Sequence, residues 1–89
     1  MDPSIQAVQE LLDQTARQCL RYILEHDLSA AQSGKLAKFV FGCMNQKHEL
    51  PSRVEKRGSG ELDKVLRFIA KAAEVLLEID REHDDKLNE

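Results

Sequence analysis

The most regular feature of the chain is the pattern of apolar positions over residues 60–82. Apolar side chains recur there at steps of three and four residues, the spacing that places them on one side of an α-helix: Leu62, Val65, Leu66, Ile69, Ala72, Ala73, Leu76 and Ile79. Phe68, Val75 and Leu77 lie outside this stripe and widen the apolar surface beyond what one neighbouring helix covers. The pattern therefore predicts a helix over about residues 60–82 that is covered from two sides.

Two further helices are predicted upstream. Asp2 before Pro3 is typical of a helix start, because proline at the first helical position needs no partner for an N–H group, and helical periodicity then continues over about residues 3–26. Ser29 with Gln32 three residues later matches a capping box and predicts a second helix over about residues 29–46. An alternative start has Ser33 as the cap, since Gly34 weakens the first turns.

The segment 45–59 loses this periodicity and contains Pro51 and Gly58, so it is predicted to be a basic connector with at most one helical turn. Residues 83–89 are polar and mostly acidic, which predicts a frayed tail. Together the elements predict a single all-α domain over residues 1–89, a small up-down-up three-helix bundle.

The composition narrows the cellular setting and the chemistry. No apolar run approaches the roughly 18 residues of a membrane span, and residues 1–4 lack the pattern of a secretory signal, so a cytoplasmic protein without a membrane partner is expected. Cys19 and Cys43 lie in apolar helical contexts, which predicts free, buried thiols.

Candidate chemistry is sparse. His26 and His83 each lie between a glutamate and an aspartate, and an up-down-up bundle would bring them to the same end, but no Cys-x-x-Cys or His-x-x-x-His spacing accompanies them. We therefore expect no functional metal and no cofactor. A bundle of this size also has little room for a substrate cleft, so neither an enzyme nor a small-molecule substrate is expected.

Charge is unevenly distributed. Residues 1–27 hold five acidic and two basic side chains, residues 28–57 hold six basic and two acidic ones, and residues 78–89 hold six acidic and two basic ones. The net charge of −3 argues against tight nonspecific binding of nucleic acid, but the basic middle leaves room for a focused contact.

The segments 52–58 and 62–72 resemble the second half of the helix-turn-helix unit of the Cro/repressor family, in which a recognition helix and a glycine turn precede a closing helix. The residue pairs 28–29 and 36–37 resemble its first half. This resemblance implies a DNA-binding regulator in which three cations contact phosphates or base edges, namely Arg53, Lys56 and Arg57.

Two features depart from that family. The spacing from Gly42 to Glu55 is longer, and Pro51 falls where the recognition helix should be continuous. The helix-turn-helix regulator is therefore the alternative, and a solvated basic loop is the simpler interpretation of the segment.

The leading prediction is a small non-enzymatic helical adaptor or regulator that docks onto another protein or onto itself as a homodimer. Its predicted contact residues are Phe68, Val75 and Leu77, beside the apolar stripe. Four cations of the basic middle are predicted to steer and orient the partner: Lys47, Arg53, Lys56 and Arg57.

Overall fold

The computed structural model describes residues 2–87, with side chains up to His83. Three helices follow one another, α1 over Pro3–Glu25, α2 over Ala30–Arg57 and α3 over Gly60–Leu87, and no strand occurs in this part of the chain. They form an elongated bundle of 51 × 19 × 17 Å. The predicted all-α three-helix bundle is confirmed.

Side-chain caps fix the starts of α1 and α2. The Asp2 carboxylate accepts a hydrogen bond from the backbone N–H of Ser4 at 2.8 Å. Ser29 Oγ accepts from the N–H of Gln32 at 3.1 Å, and Gln32 Oε1 accepts from the N–H of Ser29 at 3.3 Å. This reciprocal pair is the predicted capping box, so α2 begins after Ser29 and the alternative start at Ser33 is wrong.

The predicted connector over residues 45–59 is wrong, because α2 continues through Pro51 to Arg57. Proline inside a helix leaves the carbonyl four residues earlier without its usual N–H partner, here the carbonyl of Lys47. A side chain of α1 replaces that partner: Gln9 Nε2 donates to the Lys47 carbonyl oxygen at 2.9 Å. A contact 38 residues away in sequence thus stabilises the helix where the local pattern predicts its end.

The turn between α2 and α3 is much shorter than predicted. Gly58 has φ of +89°, a conformation that other residues rarely adopt, and its N–H donates to the Val54 carbonyl at 2.8 Å. Only Gly58 and Ser59 separate the two helices. The third helix extends to Leu87, so the predicted frayed tail over 83–89 is helical over its described part, and residues 88–89 lie outside the described residues.

The buried side chains form two clusters along the bundle axis. The first combines α1, α2 and α3 near the α2–α3 turn: Ile5, Val8, Leu12, Ala16, Cys43, Leu50 and Val65. The second lies toward the other end: Cys19, Leu36, Val75 and Ile79. Leu12, Leu36, Leu50 and Val65 are completely buried.

The third helix is rotated relative to the predicted stripe. Val75 is only 7% exposed and belongs to the core, and Phe68 is half-buried against the first core cluster. Leu66 and Ala73, which belong to the predicted stripe, are exposed. The reason lies on α2. Gly42 has no side chain, so the Phe68 ring lies directly against the helix backbone there, and it also packs against the Phe39 ring with centroids 5.4 Å apart.

Candidate functional site

The rotation of α3 leaves one apolar row of that helix facing away from the core. Its members are separated by steps of four, three and four residues, the spacing of a coiled-coil contact row, and we call them the α3 seam: Leu66, Ala70, Ala73 and Leu77. Leu66 is 40% exposed and Leu77 is 61% exposed, and both alanines are exposed as well. Apolar rows with this spacing occur where two helices pack against each other.

The two edges of the α3 seam differ in chemistry. One edge carries Ile69 and Leu76, which are half-buried and continue into a groove of about 250 Å³ between α3 and α1. Leu11 of α1 lines that groove and is 41% exposed. The other edge carries Arg67 and Glu74, which are seven residues apart and both exposed. The seam therefore has an apolar edge and an edge with one charge of each sign.

Small residues occupy the middle of the α3 seam. Ala70 and Ala73 lie between Leu66 and Leu77, so the helix surface is lowest at the centre and higher at both ends. Interaxial distances between packed helices range over about 8–10 Å and depend on the side chains at the contact, and alanines favour the short end of that range. The shape suits a close helix–helix contact.

The three apolar residues that the sequence predicts as contacts lie in three different surroundings in the structure. Leu77 lies in the α3 seam. Val75 lies in the core, so it is wrong as a contact residue, and Phe68 faces α2 at Gly42 on the far side of the helix. Val75 is unavailable to a partner because a side chain 7% exposed offers almost no surface.

Three of the four predicted steering cations are paired within the chain. Lys47 Nζ lies 3.3 Å from an oxygen of Asp13. Arg53 Nε donates to Glu61 Oε1 at 3.1 Å, and Arg57 Nη1 lies 3.6 Å from the same oxygen. Three predicted cations thus already have carboxylate partners, and Lys56 is the exposed fourth.

Glu61 is the one buried charged residue among the described side chains, with 3% exposure. Lys64 Nζ lies 2.9 Å from its Oε2, opposite the contacts from Arg53 and Arg57. The hydrogen bond from Lys64, followed by that from Arg53, lowers the pKa of the Glu61 carboxyl below its usual 4.5. This cluster joins the end of α2 to the start of α3 and stabilises the short turn between them.

Aromatic and acidic side chains meet at the opposite end of the bundle. The Tyr22 hydroxyl donates to Asp80 at 2.9 Å, and the His26 ring stacks on Tyr22 with centroids 3.9 Å apart. His83 packs edge-on against His26 at 5.2 Å, which confirms that the two histidines converge. Within the part of the chain whose side chains are described, no group of three or more potential ligands is arranged to hold a metal ion.

Both thiols are free and buried, as predicted. Cys19 lies in one core cluster and Cys43 in the other. Burial raises the pKa of Cys19, and burial together with the nearby Cys19 raises the pKa of Cys43 to about 11. At neutral pH both groups are thiols, which are weak nucleophiles compared with thiolates.

Sequence reasoning missed three of the four residues of the α3 seam as candidate contacts. Leu66 and Ala73 satisfy a core-facing helical spacing as well as the seam spacing, so the apolar pattern alone does not separate the two. What separates the two is the fit of the Phe68 ring against Gly42 on α2, while Arg67 and Glu74 only border the seam along one edge. Other exposed apolar residues lie on α1 and α2: Leu20, Leu24, Phe41 and Met44.

Comparison with known proteins does not assign a family or a function to this chain. No protein family, curated protein or solved structure matches the chain. Over the described residues, no helix is both long enough and apolar enough to cross a lipid bilayer.

Proposed function

We propose that this protein is a small non-enzymatic docking module that binds a helix of another polypeptide on the α3 seam. The observation that carries the proposal is the unbroken apolar row Leu66, Ala70, Ala73 and Leu77, on the side of α3 that faces away from the core. Burying such a row against a partner contributes roughly 25 cal/mol for each Å² of apolar surface removed from water.

The total surface of the chain supports the same proposal. A compact protein of 10.1 kDa exposes roughly 5,300 Å² by the usual scaling with mass. This chain exposes 6251 Å². The difference reflects the elongated shape of the bundle, 51 × 19 × 17 Å, and a helix docked on α3 would cover part of this surface.

The side chains of this chain support an adaptor or regulator role better than a catalytic one. The thiols are buried, and the carboxylate with the most cations around it, Glu61, is engaged in a turn. The charges best placed to orient a partner are Arg67 and Glu74 beside the seam, rather than the cations of α2.

A DNA-binding role through residues 47–57 has weaker support. Three of the four cations in that segment pair with carboxylates of this chain, which reduces the positive charge available to phosphates. The single helix over Ala30–Arg57 also has no turn where the helix-turn-helix resemblance requires one between a supporting and a recognition helix.

Site-specific photo-crosslinking in cells that express the protein tests the docking proposal. A benzoylphenylalanine replaces Leu77 in the seam or Phe41 on α2, two apolar side chains of similar exposure, 61% and 66%. We expect a discrete cross-linked product from position 77 that disappears when Ala73→Glu is added, and none from position 41. No product from position 77, or equal products from both positions, would contradict the proposal.

A further inference from the structure

We infer that the helix received by the α3 seam belongs to a second copy of this chain, which docks antiparallel about a two-fold axis between Ala70 and Ala73. The inference rests on the proposed function and adds the identity and direction of the partner. It follows from the order of residues along the seam and from the charges along one of its edges.

The seam is complementary to itself when one copy is reversed. In an antiparallel pair centred between the two alanines, Leu66 lies opposite the partner's Leu77, and Ala70 lies opposite the partner's Ala73. Large residues then meet large ones at both ends, and small residues meet at the centre where the axes come closest. A two-fold axis makes both halves of this contact identical, as a symmetric dimer requires.

Charge complementarity favours this direction. In antiparallel helix pairs, residues on the same edge of the two contact rows approach each other, so Arg67 lies beside the partner's Glu74 and Glu74 beside the partner's Arg67. On the other edge, Ile69 lies beside the partner's Leu76. The antiparallel contact therefore gives two opposite-charge pairs on one edge and apolar contacts on the other.

The parallel arrangement lacks this match. Each edge of one helix then faces the opposite edge of the other, which places Arg67 beside the partner's Leu62 and Glu74 beside the partner's Ile69. Charged groups would lose water without gaining an opposite charge, at a cost in affinity. The sequence along α3 thus selects the antiparallel dimer.

Both charged groups are available for this contact. Arg67 is exposed and has no ion pair within the described part of the chain. Glu74 has one, with Lys71 Nζ at 3.8 Å, and both of those side chains are about two-thirds exposed. An exposed pair at this distance contributes little, so Glu74 can exchange it for Arg67 of a second copy.

Sedimentation velocity of the purified full chain over a range of concentrations, at low and moderate salt, tests the inference. We expect a monomer–dimer equilibrium that Ala73→Glu weakens by at least about 100-fold, because it buries two carboxylates at the centre of the interface. Arg67→Glu alone and Glu74→Arg alone should each raise Kd by about tenfold or more, since each creates two like-charge pairs.

The charge-reversed double variant, Arg67→Glu with Glu74→Arg, should return Kd to within about threefold of the wild type, since it restores both pairs with exchanged signs. Arg21→Glu changes the charge by the same amount at an exposed position of α1 and should leave Kd unchanged. Circular dichroism of each variant confirms that the helices remain folded.

Three results would overturn the inference. The first is a monomer at all concentrations, and the second is the absence of rescue in the double variant. The third is an equal effect of Arg21→Glu. If the purified chain stays monomeric while position 77 cross-links to a different protein in cells, the second copy is excluded and the proposed docking function stands. If position 77 forms no cross-link and the chain is monomeric, both fail.

Discussion

The contact between Phe68 and Gly42 determines how α3 is rotated against α2, and it can be tested with a matched pair of glycine substitutions. A methyl group built on Gly42 would lie 2.5 Å from Phe68 Cζ and 3.3 Å from both Cε atoms. A methyl group on Gly34, in the same helix, has no neighbour within 4 Å. Alanine at these two positions therefore makes the same chemical change in opposite steric surroundings.

The expected effects differ in sign. Replacing glycine by alanine inside a helix stabilises by about 0.5–1 kcal/mol, which is the full effect expected for Gly34→Ala. Gly42→Ala gains the same amount, but the ring of Phe68 must retreat by about 1 Å to reach an ordinary carbon–carbon separation of 3.5–4.0 Å. Overpacking of this kind costs about 1–3 kcal/mol, so we expect a net destabilisation of about 1 kcal/mol.

Urea unfolding followed by circular dichroism measures both effects, with all proteins at one low concentration because dimer formation would add to apparent stability. In thermal unfolding, 1 kcal/mol corresponds to about 4–8 °C for a domain of this size. Gly42→Ala should lower the midpoint and Gly34→Ala should raise it.

A second background identifies the clashing group. Phe68→Leu removes the ring atoms that the new methyl group would meet, so in that background Gly42→Ala should stabilise by about 0.5–1 kcal/mol, as Gly34→Ala does. If Gly42→Ala stabilises the wild type as well, or if its effect is the same in both backgrounds, then the contact between Phe68 and the α2 backbone does not determine the rotation of α3.

Three further predictions concern α2, the buried carboxylate and the core thiols. Gln9→Ala should cost about 0.5–1.5 kcal/mol in urea unfolding but close to nothing in a Pro51→Ala background, where the restored backbone N–H occupies the Lys47 carbonyl. Glu61→Gln should destabilise at pH 7, and the difference should shrink as pH falls below about 4.5, because the lowered pKa of Glu61 stabilises the fold only while the carboxylate is ionised. Cys43, with its pKa raised to about 11, should react with iodoacetamide at pH 8 at least about 100-fold more slowly in the folded chain than in urea.

Each of these has a contradicting result. An unchanged cost of Gln9→Ala in the Pro51→Ala background would mean that the amide does not replace the missing backbone donor. For the carboxylate, an equal difference between Glu61→Gln and the wild type at pH 7 and pH 3 would remove ionisation as the source of stability. Alkylation of Cys43 at pH 8 as fast in the folded chain as in urea would show that the core opens readily.

Local sequence signals predicted the number of helices and where each of them begins. The caps at Asp2 and Ser29 depend on residues within three positions, so they are visible in the sequence. The end of α2 is different. Pro51 predicts a break on local grounds, and the side chain that satisfies the free carbonyl comes from Gln9 on another helix. Local patterns do not include such a contact, which exists only in the folded chain.

The apolar pattern did not predict which face of α3 is buried, for a related reason. Around this helix, apolar residues occupy more than half of the circumference, so several rotations bury similar amounts of apolar surface. What distinguishes these rotations is shape. In one of them Phe68, the largest side chain of α3, fits against Gly42, the position in the middle turns of α2 that has no side chain. Judged by hydrophobicity alone, Leu66 and Ala73 are as suitable for the core as Phe68 and Val75.

The same contact connects the core to the proposed docking surface. A helix turns by about 100° per residue, so the members of the α3 seam lie about 140–200° around the helix from Phe68. When Phe68 enters the space at Gly42, Leu66, Ala70, Ala73 and Leu77 must face outward. If α3 were turned about its axis by the angle between two consecutive residues, part of the seam would be buried and Val75 would be exposed instead. If the proposed dimer forms, Gly42→Ala should therefore weaken it in proportion to the shift of α3, although Gly42 touches no partner, whereas Gly34→Ala should leave it unchanged.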